Sequence, residues 1–212
     1  MLRAWCQSRG YNTRIAIFID LARHSGRNRF VVWDFEHEES ILVCPVSHGS
    51  GSERSHVRSA YARVSNEDGS HLSSVGRALI AERYEGRYGV AYRLDGLDES
   101  NSNLRSRCVV LHGWSYTTSF PIWPIPTVGS FGCPVLSKKM MQRVDEILKN
   151  ENRIYVSYSH LISYHYIIKV HLTQATCCCQ WYLCWSRTRN SRRYKRFARP
   201  SFLLVLRGRV SK

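Results

Sequence analysis

No apolar run in this 212-residue chain is longer than a strand, and only one stretch has the period of a helix. Residues 15–20, 29–35 and 40–46 read as successive strands, with Ser25-Gly26-Arg27-Asn28 turning between the first two. A polar loop rich in Gly and Ser runs from His48 to about Ser59. Shorter strand-like pieces follow at 61–65, 78–81 and 89–94, punctuated by Asp68-Gly69, Gly76, Gly86 and Gly89. After a second polar loop over 95–103, residues 107–111 read as a buried strand. Three prolines within 121–126 exclude a helix there and disfavour a central strand. Beyond them Ser137 is a natural N-cap, and Met140, Met141, Val144, Ile147 and Leu148 share one helical face. Residues 154–158 then close the pattern as a strand. The fold class expected is mainly β, a sandwich or barrel with one or two short helices.

Charge divides the chain in two. Residues 1–158 hold 20 Lys+Arg against 16 Asp+Glu, whereas 159–212 hold 11 Lys+Arg and no acid. The net charge of +15 is therefore mostly a property of the tail. The expected organisation is one domain over 1–158 and a basic, Cys-containing tail over 159–212, poorly ordered or not native to the domain. A reading-frame shift would produce such a change of character. Charge runs are usually just solvated, so nucleic acid is not an expected partner. Calcium is not expected either, because Asp95, Asp98, Asn101 and Asn103 lack EF-hand spacing. No stretch approaches 18 uninterrupted apolar residues, so no transmembrane helix is expected, and the first residues lack a secretory signal. Cys6, Cys44, Cys108 and Cys133 are scattered without a CxxC pair, which indicates neither a zinc site nor a disulfide framework in the body. Adjacent Cys177, Cys178 and Cys179 do not converge easily on one ion, with or without Cys184.

Two segments carry chemistry. Leu111-His112-Gly113-Trp114 ends a β-rich run, where the sheet would fix the imidazole. Gly129-Ser130-Phe131-Gly132-Cys133-Pro134 sets a thiol behind a turn able to present backbone N–H groups. A thiol needs a base or a positive neighbour to become nucleophilic, and an imidazole supplies both. Charge developing on an attacked carbonyl needs donors, which the N–H groups around Gly132 and Cys133 would provide. With 8 Cys and 9 His in the chain, the pairing alone also fits a buried, inert thiol.

The ordered succession of motifs is more specific. The HG segment followed by S-x-G-C resembles the murein L,D-transpeptidase catalytic domain (YkuD-like), closest to its divergent branch. His48-Gly49-Ser50-Gly51-Ser52 is similar to that branch's HG-x-GS element. Asn66, Gly69-Ser70 and Ser73-Ser74-Val75-Gly76 resemble its SN…GS…SSLG stretch, and Tyr84-x-Gly86-x-x-Gly89 and Arg93-Leu94-x-Gly96-Leu97 continue the match over roughly 12–158. The resemblance implies Cys133 as nucleophile, His112 as base and the Gly113 carbonyl as its orienting group, with Ser130, Phe131 and Gly132 forming the turn before the thiol. It implies peptidoglycan stem peptides as substrate, a cell-envelope location and no metal or organic cofactor. Thioester transfer to an amine gives L,D-transpeptidation; transfer to water gives an L,D-carboxypeptidase; a catalytically silent wall-binding module keeps the fold alone. His48, Ser73, Ser74 and Tyr84 are candidates for substrate contact, weighed against roles in turn geometry and packing. Two positions depart from the larger family, which has SHGC and an arginine two residues after the cysteine: Phe131 replaces the second His, and Val135 the Arg. An activated Cys133 is expected to alkylate well below pH 8. The sequence leaves the oligomeric state open.

Overall fold

The structure is a computed structural model that describes residues 2–54 and 56–159. Its first strand, β1 (Ile15–Asp20), is buried along its whole length because both faces of the sheet are covered there. Ile15, Ile17 and Ile19 belong to the main core, whereas Ala16 and Phe18 belong to a second, smaller cluster. The alternation of a strand sends consecutive side chains to opposite faces, so an unbroken apolar run marks a strand covered on both. The second cover is α1 (Leu2–Ser8), whose Leu2 and Cys6 pack with Phe18, Val31, Trp33 and Tyr155. Sequence reading did not find this helix, whose seven residues are too few to establish a period.

The remaining strands are β2 (Phe30–Asp34), β3 (Glu39–Cys44), β4 (Gly76–Gly86), β5 (Gly89–Gly96), β6 (Val110–Trp114), β7 (Val135–Ser137) and β8 (Tyr155–Ser159). They form one curled eight-stranded sheet in the order β3-β2-β1-β8-β4-β5-β6-β7. The last of them, β8, lies inside the sheet, parallel to β1 and antiparallel to β4. The β6–β7 pair is also parallel, and all other pairs are antiparallel.

The fold is mainly β with two α-helices, as its short apolar runs lead one to expect. Several boundaries differ. β4 extends well past residues 78–81, because a register shift between Ile80 and Arg83 lets the strand bend and go on pairing with β5. Residues 61–65 form no strand; only Val64 bridges, to Ser73. The strand expected over 107–111 starts later, at Val110. Cys108 has a left-handed φ of 54° and its N–H donates to Arg105 O, so the chain is still turning there. The tail expected beyond 158, with its Arg-rich block and its four cysteines, lies outside the described residues apart from Ser159.

The second helix, α2 (Lys138–Leu148), starts where β7 ends. Ser137 closes the strand and caps the helix, its Oγ accepting from the Met140 N–H at 3.2 Å. Met140, Met141, Val144 and Leu148 are buried against the sheet. Asp145 takes a bidentate pair of hydrogen bonds from Arg83 on β4 (2.7 and 2.9 Å) and one from the Tyr92 hydroxyl on β5 (2.7 Å). Those bonds mark the helix-facing side of β4 and β5. Tyr84, Ala91 and His112, paired in a row across β4, β5 and β6, lie on the other side.

Candidate active site

β6 carries His112 and Gly113, and β7 follows directly from the Cys133 turn. Their parallel register sets His112 opposite Val135. Two residues upstream on both strands, the Val110 N–H donates to Cys133 Sγ at 3.4 Å. The sulfur therefore rests on the strand that bears the imidazole, one strand across and two residues along. Among the described residues no hydrogen bond joins the sulfur to the ring.

His112 is 8 % exposed. Its Nδ1 lies 3.1 Å from the Gly113 carbonyl oxygen, which only accepts, so Nδ1 carries the proton and Nε2 holds the lone pair. Nothing larger than glycine fits at 113: a Cβ there would stand 2.9 Å from Met141 Cβ and 3.2 Å from Lys138 Cα on α2. Tyr88, in the turn between β4 and β5, stacks on the imidazole with centroids 4.8 Å apart and planes 21° off parallel. Burial lowers the pKa of His112, opposed by its bond to Gly113.

Cys133 is half-buried. Burial raises its thiol pKa, while the Val110 N–H and the Arg107 charge act the other way. Each shift favours the uncharged form of its group. Burial works against the ready alkylation expected of an activated Cys133, and the Val110 N–H and the Arg107 charge work for it.

The turn that presents the sulfur is held from two sides. Gly132 has φ 119°, a conformation that favours glycine. Ser130 Oγ accepts from the Gly132 N–H at 3.2 Å and donates to the Cys133 carbonyl at 2.6 Å. The Gly132 N–H is therefore occupied, whereas the Cys133 N–H has no acceptor among the described residues. On one side the 47–50 segment pairs with the turn: Ser130 N–H donates to His48 O, Ser50 N–H to Ser130 O and Ser47 N–H to Val135 O, at 2.8–3.0 Å. On the other, Ser73 Oγ donates to Gly132 O and accepts from the Gly49 N–H, both at 2.9 Å. Phe131 is 54 % exposed, its ring edge-on to His71.

The other candidates for substrate contact divide accordingly. His48, Ser73 and Ser74 are 1–3 % exposed and bonded within the scaffold. Arg29, fully buried, donates to His48 Nδ1 at 2.6 Å and to the Val46 carbonyl through Nε and Nη2. Burial brings its pKa down to about 9, opposed by Asp20. A guanidinium only donates, so His48 Nε2 carries the proton and faces Ser59 Oγ at 3.2 Å. Ser74 Oγ donates to Ser65 O. Buried and internally bonded, these three line no open surface. Tyr84 is half-buried, on the His112 side of the sheet, with Arg93 over its ring at 5.1 Å. Sequence reasoning missed Tyr88 and Arg107. The first sits in a hairpin turn. The second lies just before β6 and within electrostatic reach of the thiol, at a distance along the chain that no local spacing encodes. No group of His, Cys, Asp and Glu fit to hold a metal occurs among the described residues, and no helix there is long and apolar enough to cross a membrane.

The sequence profile of the L,D-transpeptidase catalytic domain matches residues 2–157. No curated protein matches the chain. Solved structures similar to it include the Ldtfm–avibactam carbamoyl enzyme (12 % identity, 70 % of this chain and 50 % of that one, TM-score 0.44). Others are Bd1075 of Bdellovibrio bacteriovorus (15 %, 78 % and 56 %, 0.45) and the helical cell shape determining protein Pgp2 of Campylobacter jejuni (9 %, 72 % and 50 %, 0.46). The matched region spans about half the length of each of these three.

Proposed function

The chain belongs to the L,D-transpeptidase catalytic domain family, and from that premise we propose that it transfers acyl groups on peptidoglycan stem peptides through a Cys133 thioester. The observation that carries this reading is the Val110 N–H to Cys133 Sγ contact, on the strand where the Gly113 carbonyl fixes the His112 tautomer.

The reaction starts from the neutral pair. As Sγ attacks the carbonyl carbon of the L-centre/D-centre bond near the stem's end, His112 Nε2 takes the thiol proton. The tetrahedral oxyanion is met by the N–H of Cys133, which has no acceptor among the described residues. Collapse breaks the C–N bond, and the imidazolium returns its proton to the departing D-alanine amine. An amine of a neighbouring stem then attacks the thioester, giving its proton to Nε2 while the thiolate leaves and is reprotonated. Water as acceptor turns the same steps into hydrolysis. The substrate places the protein's work at the bacterial cell envelope.

Intact-mass analysis after exposure to a carbapenem tests the proposal, since β-lactam ring opening by the thiolate leaves a stable acyl adduct. We expect one adduct, mapped to Cys133, that disappears in Cys133→Ala while the thermal transition is kept. Acylation of the Cys133→Ala protein at another residue, or none in the parent protein, would refute the assignment.

A further inference from the structure

Arg107 is a partly buried cation that no carboxylate hydrogen-bonds. Its guanidinium makes four hydrogen bonds, all to neutral oxygens. Nη1 donates to Ser65 O (3.0 Å) and Ser74 Oγ (2.8 Å), and Nη2 to Ser70 Oγ (3.1 Å) and Leu72 O (2.8 Å). Among the described residues Arg14, Arg77, Arg83 and Arg105 make five ion pairs with carboxylates, and Arg107 makes none. Asp68 is the one acid whose charge acts on Arg107, and it does so without a bond.

This cation is packed on the turn that ends in Cys133. A Cβ on Gly132 would stand 3.5 Å from Nη2 and 3.1 Å from Leu72 O, the oxygen that Nη2 bonds. The segment that Arg107 holds, 65–74, also includes Ser73, whose hydroxyl grips Gly132 O. One guanidinium thus fixes the wall of the turn and sets a positive charge beside its sulfur. The position two residues beyond the nucleophile is Val135, fully buried on β7.

We propose that Arg107 is a positioning residue that provides the counter-charge for the Cys133 thiolate. The inference rests on the reading of Cys133 as nucleophile. When the proton passes from Sγ to His112, the new anion lies in the field of a guanidinium that makes no hydrogen bond to a carboxylate among the described residues, Asp68 acting on it only from a distance. The other groups around the sulfur give little help. Cys108, whose carbonyl oxygen is 4.0 Å from Sγ, opposes the thiolate if it ionises. Tyr158 on β8 is buried, with a hydroxyl that has no hydrogen-bond partner among the described residues, and burial first, then the Cys133 charge, raises its pKa. Among the described residues the sulfur makes two hydrogen bonds: it accepts from the Val110 N–H, and as a thiol it donates to the Cys108 carbonyl, so only the Val110 dipole favours the thiolate.

The test is the pH dependence of iodoacetamide alkylation at Cys133 in the full chain, read by peptide-resolved mass spectrometry so that other thiols do not contribute. Arg107→Gln is expected to slow alkylation at neutral pH about tenfold and to move its midpoint upward. Arg107→Lys keeps a charge but loses the four-bond fork, and is expected to leave the midpoint near that of the parent protein. Equal effects of Gln and Lys would mean that the arginine only holds the loop, and would overturn the proposal. Ser70→Asp keeps Arg107 and offers it a carboxylate, so it answers the question even where the arginine variants do not fold. An upward midpoint supports the proposal, and an unchanged one refutes it. Alkylation needs no substrate, so a carbapenem adduct at Cys133 with an unmoved midpoint would sink this inference alone.

Discussion

Tyr88 covers one face of His112, its ring lying 21° off parallel to the imidazole. The environment that lowers the histidine's pKa also keeps Nε2 unprotonated at pH values where an exposed histidine would be charged. Removing the cover should reverse this. In Tyr88→Ala the acid limb of Cys133 acylation by a carbapenem is expected to move to higher pH, toward the ordinary histidine value. At pH 6 acylation should be several-fold slower than in the parent protein, with little difference at pH 8. An acid limb that stays in place would show that Tyr88 does not shield the base. The sign for stability is the same. With the folded pKa below the unfolded one, protonation favours the unfolded chain, and stability falls as pH drops through the unfolded value near 6.5. The HG and S-x-G-C segments were legible at this scale because glycines and chemistry-bearing side chains sit together in each. Tyr88 and Arg107 were not, because each meets its target across the sheet or across a loop.

At the scale of elements, the side-chain hydrogen bonds that join α2 to the sheet among the described residues all converge on Asp145. Asp145 receives Arg83 and the Tyr92 hydroxyl at once, and its pKa is lowered chiefly by the Arg83 bond. Asp145→Ala would leave Tyr92, which is 2 % exposed, without an acceptor. We expect a Tm roughly 2–6 °C lower, measured by calorimetry near pH 7. That difference should shrink below about pH 4, because the stability contributed by a carboxylate with a depressed pKa is lost as pH falls through its folded value. A constant difference down to pH 2 would mean that packing, not charge, accounts for the loss. α2 was legible from its period and its serine cap. α1 is too short for either signal, and the onset of β6 was misplaced because Cys108 takes a left-handed turn that its residue type does not advertise. The length of β4 was hidden by its bulge, which breaks the alternation on which strand reading depends.

The whole molecule is organised by β8. It joins β1 on one side and β4 on the other, linking the β1–β3 meander to the half that carries the candidate site. Ending the chain before Tyr155 should therefore abolish cooperative thermal unfolding and carbapenem acylation together, even though every proposed site residue is still present. A shortened protein that still unfolds in one sharp transition would contradict this dependence. Neither the sheet order nor the β6–β7 pairing was legible in the sequence. Strand patterns state that residues alternate, not which strands become neighbours.

Because the central strand is the last of the described strands to be made, synthesis leaves β1 and β4 without the partner between them until about residue 159 has left the ribosome. During that interval the nascent chain has two unpaired templates for association with other chains. Its yield in a cell should depend on how quickly that final strand arrives or how well a chaperone occupies the gap.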